Sequence, residues 1–206
     1  MCFFYSVATN KKAIQEVFNA EFQQDGFSPV AEANGFTHPY MPIITNAQPN
    51  LIIGANWGLI PTWAKDTAIA KNTLNARIET LTEKPSFKEA INNRCLIPAT
   101  NFFEWQWLDQ KGKNKQKFSI YAQQEIFAFA GLYSEWTNPF DNLKYITYTI
   151  VTQPANPLMA KIHNTKQRMP LILNPQDHNN WLNNTPIHYF QENYNVQLQA
   201  FPINNR

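Results

Sequence analysis

Between residues 94 and 152, five short stretches rich in β-branched and aromatic side chains follow one another at close intervals: 94–97, 102–107, 118–122, 126–132 and 145–152. Such residues fit a pleated, half-buried surface, so each stretch reads as a strand. The polar run Asp109-Gln110-Lys111-Gly112-Lys113-Asn114-Lys115 lies between two of them and reads as a hairpin turn. A chain organised around such a block must build its core on a sheet. With 206 residues, 44% of them apolar, it has enough hydrophobic surface for one substantial core. One domain over residues 1–206 is expected. No unit of 20 to 50 residues repeats, which excludes solenoids and propellers.

Helical patterns are few. Ala13, Ile14, Val17, Phe18 and Phe22 recur at helical spacing within residues 10–24, with Asp25-Gly26 placed to end the element. A loop through Pro29, Pro39, Pro42 and Pro49 should follow, then a strand at 51–57 that runs into Gly58-Leu59-Ile60-Pro61. Phe87, Ala90 and Ile91 suggest a helix at 86–92. A short helix is expected at 157–162, a strand at 170–173, and a helix at 175–182 capped by Asn174. The expected class is α+β, a single domain with a curled, mainly antiparallel sheet or barrel flanked by short helices.

Seventeen Lys and Arg face fifteen Asp and Glu, so the molecule as a whole has too little net charge to draw in a polyanion. Any nucleic-acid binding must come from a local patch. Two cysteines, Cys2 and Cys95, are too few for a disulfide framework and have no companions at metal-ligand spacing. Neither a metal nor another cofactor is expected. No leader-like segment or apolar run of about 20 residues occurs, which points to a cytoplasmic protein.

Cys2 is the most informative position for chemistry. Removal of Met1 would leave an α-amine and a thiol on neighbouring carbons, and both titrate within about 1.5 units of neutrality. The amine can condense with an aldehyde, and the thiol can then close a five-membered thiazolidine. A cysteine at this position can equally pack as a small hydrophobe, which is the reading for Cys95 within Arg94-Cys95-Leu96-Ile97-Pro98.

Asn75-Ala76-Arg77-Ile78-Glu79-Thr80 sets an amide, a guanidinium and a carboxylate close together. Arg77 could grip a phosphate, or it could form a surface pair with Glu79 that carries no function. In Phe102-Phe103-Glu104-Trp105 a carboxylate is embedded in an aromatic strand, where desolvation would make Glu104 a general acid. Alternation places Glu104 opposite Phe103 and Trp105, so a solvent-facing side chain is the competing reading. His163, ahead of Arg168-Met169-Pro170, could shuttle protons near neutrality. His38, His178 and His188 read as structural. Trp57 and Trp63 could stack on bases or belong to the core.

Taken in order, Cys2, the segment from Trp57 to Trp63, Asn75 to Thr80, Arg94 to Ala99, Phe103-Glu104-Trp105, Ile150-Val151-Thr152 and His163 through Pro170 resemble the SRAP family. These are the SOS response-associated peptidase domain proteins that shield abasic sites in single-stranded DNA. Together these segments span nearly the whole chain. The resemblance implies that the Cys2 amine attacks the ring-opened C1′ aldehyde and the Cys2 thiol closes the thiazolidine. It further implies that Glu104 assists sugar opening and proton transfer, that His163 moves protons during imine formation, and that Asn75 holds the Cys2 amine or the sugar. Arg77, Arg168 and Thr152 would bind phosphates, with Trp63 against a base. The implied partner is single-stranded DNA with an abasic site, bound by a monomer that joins the nucleoid when on DNA.

Several positions depart from the family pattern. Phe3-Phe4-Tyr5 stands where family members usually carry Gly-Arg-Phe, which removes a cation beside the nucleophile. The family's Asn-x-Ala-Pro segment is not recognisable near His38-Pro39-Tyr40-Met41-Pro42. Thr100-Asn101 replaces a frequent Asp-Gly, and Thr165 to Gln167 widen the gap before Arg168. Two rival functions remain open on the same residues. One is a cysteine peptidase with Cys2 as nucleophile, His163 as base and Asn75 as orienter, able to process its own start. The other is a non-catalytic single-strand-binding module that needs no free N-terminus.

Overall fold

A computed structural model describes residues 2–191 and 194–204. Met1, and with it the expected loss of that residue, lies outside the described residues. In chain order the strands are β1 (Phe4–Val7), β2 (Glu21–Phe22), β3 (Val30–Asn34), β4 (Tyr40–Thr45), β5 (Gln48–Trp57), β6 (Asn75–Arg77), β7 (Arg94–Ala99), β8 (Asn101–Trp107), β9 (Lys115–Ala122), β10 (Phe127–Thr137), β11 (Lys144–Pro154), β12 (Arg168–Pro170), β13 (Ile172–Leu173) and β14 (Leu198–Ile203). The helices are α1 (Lys11–Phe18), α2 (Pro85–Lys88), α3 (Pro157–Ile162) and α4 (His178–Leu182).

Five of the strands close a barrel. β11, β10, β7, β4 and β5 pair antiparallel in that order, and β5 returns to β11 in a parallel contact, Asn56 opposite Thr147 and Trp57 opposite Tyr148. The expected curled, mainly antiparallel sheet is thus realised as a closed one, which leaves no free barrel edge. A second, antiparallel sheet in the order β14, β9, β8, β1, β3 lies against it. Tyr5 of β1 joins the two. Its ring meets Trp57 and Phe129 at 5.1 and 5.6 Å, and its hydroxyl lies 2.8 Å from that of Tyr148. Burying each such ring contributes about 1.5–3 kcal/mol. Cys95 belongs to this core, fully buried.

The pairings of β11 position the site. Its first half lines the barrel. Its second half takes β6 on one side, Asn75 opposite Ile150 and Arg77 opposite Thr152, and β12 on the other, Thr152 opposite Pro170. Two distant sequence motifs therefore meet across one strand.

Some local expectations differ from the structure. The first helix stops at Phe18, because Asn19 adopts a left-handed conformation at φ 48° and its N–H caps Gln15 O. Phe22 then serves as a strand residue beside β5. The proline-containing stretch holds two strands, β3 and β4. β4 tolerates Pro42 because β7 pairs with it only at Ile44 and Thr45, so the missing N–H costs no second ladder bond. The helix expected at 86–92 is the single turn α2, and that at 175–182 begins as a 3₁₀ turn at Pro175–Asp177, without a side-chain cap from Asn174. Gly58, at φ 120°, turns the chain out of the barrel after Trp57; a Cβ there would lie 2.7 Å from His38 Nδ1 and 2.9 Å from Ala70 O.

Candidate active site around Cys2

Cys2 enters the structure immediately before β1 and is fully buried. Asn75, the first residue of β6, donates from Nδ2 to Cys2 O over 2.8 Å. The buried Asn75 Oδ1 has no hydrogen-bond partner among the described residues. The Cys2 thiol donates to Phe4 O at 3.6 Å. Burial pushes the thiol well above its ordinary value, and the Glu104 carboxylate adds to the rise.

Glu104 is 5% exposed and sits on the inner side of β8. The register places Phe4 opposite Phe103, so Phe103 and Phe4 share the outer face and Glu104 the inner one, with Tyr5 and Phe102. The solvent-facing reading of Glu104 is thereby excluded. Burial pushes its carboxyl up to about 7, against the Trp105 backbone N–H, which favours the charged form. A carboxyl tuned to that value can give and take a proton at neutral pH.

His163 follows α3, 8% exposed. Two clamps fix it. Asn164 Oδ1 accepts from Trp107 N at 3.1 Å while its Nδ2 donates to Trp107 O at 2.9 Å, and Gln106 Nε2 donates to Lys161 O at 3.0 Å. The His163 segment is thus fastened to the strand that carries Glu104. His163 Nδ1 lies 2.8 Å from Arg168 O. The Arg168 backbone N–H also points at Nδ1, over 3.3 Å, so the tautomer sets whether Nδ1 donates to the Arg168 carbonyl or accepts from its amide. Burial lowers the imidazole's pKa, which keeps it neutral at pH 7.

The four residues expected to bind DNA fall into two groups. Arg77 is exposed, and Trp63 is 50% exposed in a turn whose Ala64 O accepts from Trp136 Nε1 at 2.7 Å. Thr152 is fully buried, with its hydroxyl donating to Ala76 O at 3.3 Å. Arg168 is also buried and holds Glu79 with both terminal nitrogens, Nη2 to Oε2 at 2.9 Å, and Thr152 O at 2.8 Å. Glu79 therefore pairs with Arg168, where sequence proximity suggested Arg77. Sequence reading also missed Asn164 as the anchor of the histidine segment. Trp57 is a core residue, its Nε1 donating to Leu74 O at 2.8 Å. Among the described residues no three His, Cys, Asp or Glu side chains converge on a possible metal position.

Cys2 ahead of β1, Asn75 at the start of β6 and Glu104 on β8 are set beside a closed five-stranded barrel, and this fold defines the class of protein. The family model described as SOS response associated peptidase (SRAP) matches residues 1–206, and the chain belongs to that family. It is 45% identical over 154 residues to the Abasic site processing protein YoqW of Bacillus subtilis, an alignment covering 73% of this chain and 66% of that one. It is 30% identical over 152 residues to the Abasic site processing protein HMCES of Gallus gallus, covering 62% and 44%. The chain thus spans somewhat under two thirds of the first relative and under half of the second. A crystal structure of a Bacteroides thetaiotaomicron protein shares the fold with a TM-score of 0.89 at 33% identity, covering 99% of this chain and 93% of that one. Among the described residues no helix is long and apolar enough to cross a membrane.

Proposed function

We propose that this protein captures abasic sites in single-stranded DNA as a covalent thiazolidine on Cys2. With Met1 removed, the Cys2 amine adds to the C1′ aldehyde of the ring-opened sugar, and the carbinolamine loses water to give an imine. The thiol then adds to the imine carbon as its proton passes to nitrogen, closing the ring without any oxidant or reductant. Glu104, balanced near neutrality, supplies the proton that opens the sugar and expels water. Neutral His163 receives and returns protons through its imidazole. Asn75 holds the Cys2 backbone with its Nδ2, and its buried Oδ1 accepts from the new amine.

The observation that carries this reading is the Asn75 hydrogen bond to Cys2 in the presence of the raised Glu104 carboxyl. The similarity to abasic site processing proteins supports it.

The test is incubation with single-stranded DNA carrying one abasic site, followed by denaturing electrophoresis. A stable shifted band is expected for the wild type, none for a form extended before Cys2, and for Cys2→Ala and Cys2→Ser, which keep the amine but lose the thiol, only a weaker imine that must be reduced to survive denaturation. An extended form that cross-links as well as the native protein would remove the N-terminal amine from the chemistry.

A further inference from the structure

The outer face of the second sheet carries a row of rings that the chemistry at Cys2 does not use. Phe36, 58% exposed, meets Phe4 at 6.3 Å, and Phe4 meets Trp105 edge-on at 5.0 Å. Trp107 follows two residues along β8, about 7 Å further on. Phe4, Trp105 and Trp107 share this face because Phe4 lies opposite Phe103 and strand side chains alternate. Cations interleave with the rings. Lys115 lies 5.1 Å over Trp107, and Lys117 lies 5.2 Å from the Trp105 ring and is paired with Glu32. Beyond Trp107 the exposed hairpin adds Lys111 and Lys113. The backbone of the hairpin approaches the Trp107 ring so closely that a Cβ on Gly112 would come within 2.6 Å of it.

We infer that this row, from Phe36 through Phe4 and Trp105 to Trp107, is a stacking track for the bases of the single strand that leaves the Cys2 site, with Lys115 and the hairpin lysines against its phosphates. The inference rests on the proposed function for its ligand. Two observations favour an unpaired nucleic-acid strand as occupant: the row passes through Phe4, two residues from Cys2, and cations lie beside its rings. A duplex, whose bases are already stacked, has no free faces to offer these rings.

The test uses the full-length protein and fluorescence anisotropy with three probes: an unmodified single-stranded oligonucleotide, the same strand as a duplex, and the strand with one abasic site. Phe36→Ala, at an exposed ring, and Trp107→Ala, at a half-buried one, should each weaken binding of the unmodified single strand by roughly five- to a hundredfold, with Trp107→Phe restoring most of the loss. Binding of the duplex should be indifferent to all three substitutions. Thermal melting confirms that each variant is folded. If the wild type cross-links abasic DNA while Phe36→Ala and Trp107→Ala bind the unmodified strand as it does, the track is overturned and the proposed chemistry stands. If the variants lose binding but no adduct forms, the chemistry is overturned and the track stands. A wild type that ignores the unmodified strand, or variants that lose duplex and single strand alike, also overturn the track.

Discussion

Arg168 spans from the carbonyl of Thr152 to both carboxylate oxygens of Glu79, so its guanidinium is a brace between β11, β12 and the turn after β6. The same residue's carbonyl holds His163 Nδ1. One residue thereby ties the proton-carrying imidazole to the segment that supplies Asn75.

Removing this brace should act on structure first. Arg168→Met leaves the Glu79 carboxylate without its partner; because that side chain stays 40% exposed, water can replace part of the loss. A destabilisation of roughly 2 kcal/mol is expected, read as a fall of about 4–8 °C in melting temperature. The pair should also be sensitive to acid. Burial works against Glu79 ionisation, but the Arg168 hydrogen bond wins and holds the carboxyl below its ordinary value. Its stabilisation is present above the unfolded pKa and is lost as pH falls through the folded one. Melting curves that coincide for wild type and Arg168→Met at pH 7 would show the brace to be dispensable.

Glu104 behaves in the opposite sense. Its folded pKa of about 7 exceeds the ordinary 4.5, so the folded state retains a proton that the unfolded state has lost. Stability therefore falls as pH rises from about 4.5 to 7 and stays lowered above that. Glu104→Gln removes this penalty and should gain up to roughly 3 kcal/mol at pH 8 relative to pH 4. The same change should slow adduct formation by about 10² to 10⁴ while binding of intact DNA holds. A variant that gains no stability at alkaline pH would place Glu104 in a wetter setting than the inner face of β8.

His163→Ala should slow adduct formation by a comparable factor of about 10² to 10⁴. Because burial lowers the imidazole's pKa, its contribution is present above the folded value and lost below it. A rate profile whose acid limb lies below the ordinary imidazole range in the wild type, and flattens in His163→Ala, is expected. An unchanged profile in the variant would assign the limb to another group.

The strands of the central block were legible because aromatic and β-branched residues cluster there, and the barrel closes on them. β3 and β4 were hidden by prolines, whose penalty disappears where a strand has one neighbour. Glu104 shows a deeper limit. Alternation separated it correctly from Phe103 and Trp105, but period two names two faces without saying which looks inward. Here the aromatic face looks out: Phe4 and Trp105 meet edge-on and remain half-buried, with the Lys117 ammonium beside the Phe103 and Trp105 rings. Arg168 likewise depends on register: only the common pairing of Thr152 with Arg77 and Pro170 brings it to Glu79.

Phe4 offers the sharpest check on where the DNA runs. It stands where the family usually carries an arginine, and it is half-buried on the outer face against Trp105 and Phe36. An arginine introduced by Phe4→Arg can lie over the Trp105 ring in a cation–π contact, with its guanidinium in water, so no charge is buried. Melting should fall by no more than about 2–4 °C. If phosphates pass beside the start of β1, the new cation releases one more counterion on binding, and the slope of log K against log salt should steepen by roughly 0.7 for single-stranded DNA. Affinity at one salt concentration is a poorer readout, because the substitution also removes a ring from the stacking track. The slope isolates the charge. A Phe4→Arg protein that melts as expected yet keeps the wild-type slope would mean that the phosphates do not approach β1. The strand would then have to leave Cys2 on the side of exposed Arg77.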